Sequence, residues 1–321
     1  MSNTTVNKKN IVIIELSEFS VDLLTQAVAL YPLPNLKTIL QFKRSSYKTN
    51  DRCNGGYLTP YAQWTSIHTG VSAKIHRQAK PDSPCDTNLK YFWQVLTAHN
   101  ISIMHEGIEP RNTKPNALPR FSQRYKTAMS FFKTAYKLGC TYPIFKEILK
   151  FRLKPNKNTN PLPRYITWLD YMSGILFCKM KQKYKPQCSI LFLDSLAYCQ
   201  SYHWQADDHS LSSELIYNLQ MLDTILGQLI THFPDDNLII HNALSQIKTN
   251  YEQREPTSGN PIYYTGRLIA LGTIYSQELN FPNHIFNHEF NHYIYNYFVP
   301  EHYKLKSEYI EDEILETLSS T

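Results

Sequence analysis

The sequence predicts an α/β fold in which a central, mostly parallel sheet is flanked by helices on both faces. Three observations lead there. Short runs at residues 10–16 (NIVIIEL), Cys188–Leu193 (CSILFL) and 237–240 (NLII) are apolar at consecutive positions, the pattern of strands buried on both faces. Stretches of helical periodicity, such as 21–30 and 212–233, alternate with them. Polar groups crowd directly after each run, at 15–18, 194–203 and 241–246, where open α/β sheets collect their chemistry.

Element by element, 10–16 is the first strand, and Ser20 is placed to cap a helix over 21–30 that Pro32 and Pro34 end. Residues 57–69 begin irregularly and become helical around Trp64. A further helix is expected over 89–98 and a short strand over 101–104. Residues 111–164 hold helical patches at 127–138 and 144–152 separated by Asn, Pro and Lys, the pattern of an insertion or lid. CSILFL is the second buried strand, 212–233 an amphipathic helix, NLII the third strand and 264–271 a fourth. Residues 307–318 read as a terminal amphipathic helix within an acidic 301–321 segment. One domain spanning 1–321 accommodates all of this.

Composition excludes several classes. With 42% apolar and 19% charged residues the chain is neither disordered nor collagen-like. No uncharged apolar run approaches the roughly 18–20 residues of a membrane span, so the chain is expected not to be transmembrane. The polar 1–10 segment resembles no secretory signal, and six cysteines without a CxxC pair read as free thiols, which together point to a cytoplasmic protein. The net charge of +6 is unevenly spread: 111–164 carries 13 Lys/Arg against the single acid Glu147. Such a block suits a local anionic ligand or anionic surface rather than a specific nucleic acid, and it equally suits a solvated helical face.

The sharpest segment is Thr59-Pro60-Tyr61-Ala62-Gln63-Trp64-Thr65-Ser66-Ile67-His68-Thr69-Gly70, followed by His76. A hydroxyl before proline at a helix start is an N-cap, and it is also a place where free N–H groups favour an anion. This segment resembles the nucleophile region of the alkaline phosphatase-like superfamily, which includes type I phosphodiesterases and nucleotide pyrophosphatases. The resemblance implies Thr59 as nucleophile, with Ser66 or Thr65 as alternatives because the segment is one residue longer than the common version. It continues in order along the chain. Residues 11–19 resemble the superfamily's first strand, whose end carries an acidic metal ligand, here Glu15 or Glu18. Leu193-Asp194 through Trp204 resembles its second ligand loop, with Asp194 as the acid. Tyr198 stands where a histidine is expected, and His203 is the nearby substitute. Residues 238–246 resemble the third ligand segment, but Ala243 and Leu244 replace its Asp-His pair. The Ala-Leu-Ser-Gln version, together with Gln63 and the 66–70 segment, is similar to a bacterial branch of the superfamily.

Residues 282–295 (PNHIFNHEFNHYIY) hold His284, His288 and His292 at i, i+4 and i+8, one face of a helix if the segment is helical. His288 or His292 would then supply the superfamily's late nitrogen ligand. His288-Glu289-Phe290-Asn291-His292 also spells HExxH, the pattern of a zinc peptidase. The expectation is therefore hydrolysis or transfer at a phosphate ester, with Thr59 attacking and a divalent cation (Zn²⁺, Mn²⁺ or Mg²⁺), in at most one complete site, on Glu15, Glu18, Asp194 and the histidines. The substrate would be a phosphorylated or otherwise anionic small molecule or glycan. Two other readings stand beside it: a catalytically silent member that binds an acidic partner or membrane surface through 111–164, and the HExxH peptidase.

Overall fold

Every side chain of Ile11–Leu16 (β1) is buried, as a strand apolar on both faces requires. In this computed structural model β1 lies inside a seven-stranded sheet of order β3-β4-β1-β5-β8-β2-β9. The structure describes residues 9–48, 58–77, 89–106, parts of 133–146, 161–204, 210–248 and 266–299. The other strands are β2 (Lys43–Lys48), β3 (Ile103–Glu106), β4 (Cys188–Leu193), β5 (Asn237–Asn242), β8 (Leu271–Ser276) and β9 (His284–Phe286). β6 (Ser245–Lys248) and β7 (Gly266–Ile269) form a separate two-stranded ribbon. β1 pairs in parallel with β4 and β5, and β3 in parallel with β4. β8 runs antiparallel to both β5 and β2, and β9 is parallel to β2. The sheet is thus mostly parallel with one reversed strand.

Helices cover both faces because alternate β1 residues serve different cores. Val12, Ile14 and Leu16 join a cluster with α1 (Val21–Leu30), α2 (Pro34–Ile39), α6 (Pro161–Tyr184), α7 (Ser195–Tyr202) and α8 (Ser213–His232). Ile11 and Ile13 join the other, with α3 (Pro60–Thr69), α5 (Phe92–Ala98) and α9 (Phe290–Phe298); a short α4 (Ala73–His76) follows α3. Ser20 caps α1, its hydroxyl accepting from Leu23 N–H. Ser212 caps α8 in the same way.

Several expectations change. The strand expected over 264–271 is two strands, β7 and β8, broken at Ala270. The 24-residue α6 begins inside the block read as an insert; its polar and aromatic residues spread around the helix hid its periodicity. The remainder of 111–164 lies almost wholly outside the described residues, though Ala135 is fully buried in the first core. The 301–321 segment lies outside them too. No helix among the described residues is long and apolar enough to cross a membrane.

Candidate active site at the carboxyl ends of the strands

Thr59 is the N-cap of α3. Its backbone is extended, Pro60 follows at the first helical position where its missing N–H costs nothing, and its Oγ1 accepts from Ala62 N–H at 3.3 Å. The capping role read from the sequence is therefore real. The rest of the segment turns inward: Gln63, Thr65, Ser66 and His68 are all buried. Ser66 Oγ lies 3.0 Å from His76 Nε2 in the core, and Thr65 Oγ1 donates to the Tyr61 carbonyl. Of the three hydroxyls, only that of the half-buried Thr59 stands at the start of the helix.

The two candidate acids of β1 separate cleanly. Glu15 is registered opposite His241 of β5 and Phe192 of β4 and is fully buried. Both of its oxygens receive His68 Nε2–H at 3.0 Å, and Oε1 receives His241 Nε2–H at 3.3 Å. Burial pushes the Glu15 carboxyl up, but the charge of His68 and the hydrogen bonds from both imidazoles outweigh it and bring it to about 2. Trp64 and Phe290 wall the cluster, with Phe290 stacked on His241 at 4.1 Å. Glu15, expected as a metal ligand, is committed to an internal polar knot instead, and His68 with it.

Glu18 stands beyond the strand end. It has a left-handed backbone (φ 59°) and is buried, and its Oε2 accepts from Gln246 Nε2 at 2.6 Å. Burial, opposed by the Gln246 hydrogen bond and aided by the negative charge of Asp194, raises Glu18 to about 7. Asp194 precedes α7 but makes no cap bond there; Asp170 of α6 does, accepting from Ser195 N–H at 2.7 Å. Tyr198 lies one turn into α7. Its phenol is pushed up to about 12, mainly by burial and then by Asp194, Tyr61, Tyr202 and Glu18, all within electrostatic reach. Tyr61 belongs to the first turn of α3, so one residue of that turn, Glu18 and Asp194 all act on the Tyr198 phenol.

The histidines do not join them. His203 ends α7, about 13 Å along the helix from Asp194 at a rise of 1.5 Å per residue. His284 is in β9, His288 in a 3₁₀ turn (Asn287–Glu289) and His292 in α9, so they do not share one helical face, and HExxH is split between a turn and a helix. Asn291, beside His292, packs on Gly70 at the far end of α3, about 16 Å from Thr59 by the same rise. Ala243 and Leu244 are buried and have no donor side chains.

A cation of the kind the resemblance implies would have two carboxylates available here, Glu18 and Asp194. Glu18 feels the negative charge of Asp194, and carboxylate oxygens are the donors a hard cation takes. No group of three or more His, Cys, Asp or Glu among the described residues could hold a metal. Sequence reasoning missed Asp170, Gln200 and the role of Tyr61: Asp170 sits on an unrecognised helix, and Gln200 carries no local signal.

No family model matches the chain, and no curated protein matches it in sequence. Solved structures do match in shape. One is the alkaline phosphatase from the Antarctic bacterium TAB5, at TM-score 0.50 and 13% identity, covering 90% of this chain and 98% of that one. Another is the phosphonate monoester hydrolase of Agrobacterium radiobacter, at TM-score 0.46 and 10% identity, covering 88% and 72%. The chain shares its fold with the first of these, an alkaline phosphatase.

Proposed function

We propose that the chain is a phosphoric ester hydrolase or transferase that attacks through Thr59 and uses one divalent cation held by Glu18 and Asp194. What supports this reading is that Tyr61, two residues after Thr59 in the first turn of α3, lies within electrostatic reach of Tyr198 together with Glu18 and Asp194. The positive end of the α3 dipole favours the phosphoryl oxygens and orients the ester. Thr59 Oγ1 gives its proton to solvent and bonds to phosphorus as the bond to the leaving oxygen breaks, the leaving oxygen takes up a proton from solvent, and water then hydrolyses the phosphothreonine, restoring the hydroxyl. Ala62 N–H, already directed at Oγ1, stabilises the negative charge that grows there. The cation, when bound, lowers the hydroxyl pKa and neutralises phosphoryl charge. The substrate class is a phosphorylated or other anionic small molecule or glycan, with 111–164 supplying positive charge; the setting is cytoplasmic.

The test is metal content of protein purified without chelator, alongside turnover of an aryl phosphodiester by the parent and by Thr59→Ala. Bound metal with turnover lost in Thr59→Ala supports the reading; turnover unchanged in Thr59→Ala overturns it. A second reading, a catalytically silent module that binds an anionic partner or surface, is favoured by Tyr198, Ala243 and Leu244 at donor positions. No metal and no turnover would select it.

A further inference from the structure

Glu18 holds a backbone conformation that suits glycine, yet it carries a long, acidic, buried side chain. A left-handed residue of this kind persists only where its surroundings over-determine it. Side chains from two segments do so. Gln200 of α7 spans the turn with both amide atoms: its Nε2 donates to the Glu18 carbonyl at 2.6 Å, and its Oε1 accepts from Ser20 N–H at 2.9 Å. Between those points the Phe19 carbonyl accepts from Asn242 Nδ2 at 2.8 Å and Ser245 Oγ at 2.9 Å. Gln246 then holds the carboxylate. Its Nε2 faces Glu18 Oε2 at 2.6 Å, Ser201 Oγ at 3.1 Å and the Ala197 carbonyl at 3.2 Å. A carboxylate and a carbonyl only accept, so the amide nitrogen, not its oxygen, points there.

We propose that Gln200 and Gln246 form a clamp that positions Glu18 for cation capture, Gln200 through the backbone and Gln246 through the carboxylate. The 242–246 segment, which resembles a metal-ligand segment, acts here on the ligand-bearing loop and not on the metal. Both glutamines are positioning residues. The claim that they serve cation capture rests on the function proposed above; the claim that they hold the loop does not.

The test uses the full chain with Mn²⁺ as probe, followed by electron paramagnetic resonance, and amide hydrogen exchange at Ser20. Gln246→Met and Gln200→Met keep side-chain length but remove the amide. Loss of an outer-shell partner should weaken Mn²⁺ binding about tenfold or more in each. Exchange at Ser20 should accelerate about tenfold or more in Gln200→Met while Ile13 in β1 stays unchanged, since the loop alone opens. If Mn²⁺ affinity and Ser20 exchange both stay at parental values, the clamp is wrong. If the parent binds no Mn²⁺, the cation reading fails, and Ser20 exchange alone decides whether the loop is clamped. Should either methionine variant fail to fold, Ser245→Ala, which removes one bond to the Phe19 carbonyl, carries the same expectation for exchange at Ser20.

Discussion

The imidazole of His68, on α3, reaches across to β1 and places Nε2 at 3.0 Å from both oxygens of Glu15, in a pocket where both side chains are almost wholly buried. This contact ties the helix that carries Thr59 to the central strand. Removing the imidazole leaves the buried carboxylate with His241 as its remaining imidazole partner, which costs about 1–3 kcal/mol. His68→Ala should therefore lower the free energy of urea unfolding by that order. Glu15→Gln should cost less, because the amide oxygen still accepts a hydrogen bond from an imidazole in the same place. Mn²⁺ binding should survive in Glu15→Gln and vanish in Glu18→Gln. The reverse order would return Glu15 to the metal site.

The three buried acids bend the pH dependence of stability in opposite directions. Glu15 falls from 4.5 to about 2, so its contribution is fully present above pH 4.5 and is lost as pH falls towards 2. A difference of that size corresponds to about 3 kcal/mol. Glu18 and Asp170 instead rise to about 7, each chiefly through burial. The folded state binds more protons than the unfolded one between roughly pH 4 and 7, so stability declines as pH rises through that window. Urea unfolding across pH 2 to 8 in the presence of chelator should show a maximum on the weakly acidic side. Added Mn²⁺ should restore much of the alkaline-side loss. A flat profile above pH 5 would contradict the burial of Glu18.

Much of the sheet was legible because its evidence is local. Continuous apolar runs marked β4 to the residue and β1 to within one, Ser20 announced α1 through its own capping bond, and the apolar face of 212–233 announced α8. What stayed hidden depends on partners remote in sequence. Lys43–Lys48 is polar and charged, and it becomes β2 only because β8 and β9 flank it. Glu15 and Glu18 lie three residues apart, and no sequence rule says which one faces His68 and His241. Parity along β1 decides it, since Glu15 shares the face of Ile11 and Ile13. In the 284–292 segment the histidine spacing is helical, but the aromatic, Asn-rich chain reads as strand or turn, and a strand, a 3₁₀ turn and a helix divide it. Glu289→Gln should accordingly change no peptidase signal in a casein assay.

Thr59 has two separable duties, capping and chemistry. Thr59→Ala removes the acceptor for Ala62 N–H and should cost about 1 kcal/mol of stability, as loss of an N-cap does. Thr59→Ser keeps the cap and the nucleophilic oxygen, and Thr59→Asn keeps only the cap. Thermal melts should group Ser and Asn with the parent, whereas turnover of an aryl phosphodiester should group Asn with Ala. Activity retained in Thr59→Asn would reduce Thr59 to a cap.

The far end of α3 makes a sharper steric demand. Gly70 terminates the helix at φ 71°, and its N–H bonds the Ser66 carbonyl. A β-carbon there would lie 2.5 Å from Asn291 Nδ2, and Asn291 is itself fully buried in the first turn of α9. Gly70→Ala therefore meets two penalties, a left-handed backbone worth about 1–3 kcal/mol and a collision with the buried Asn291 side chain. Pairing it with Asn291→Ala should recover the collision but not the backbone strain, so the double variant should be more stable than Gly70→Ala and less stable than Asn291→Ala. Chemical unfolding of the three variants checks this. Additive losses in the double variant would mean that α3 and α9 do not meet at this contact.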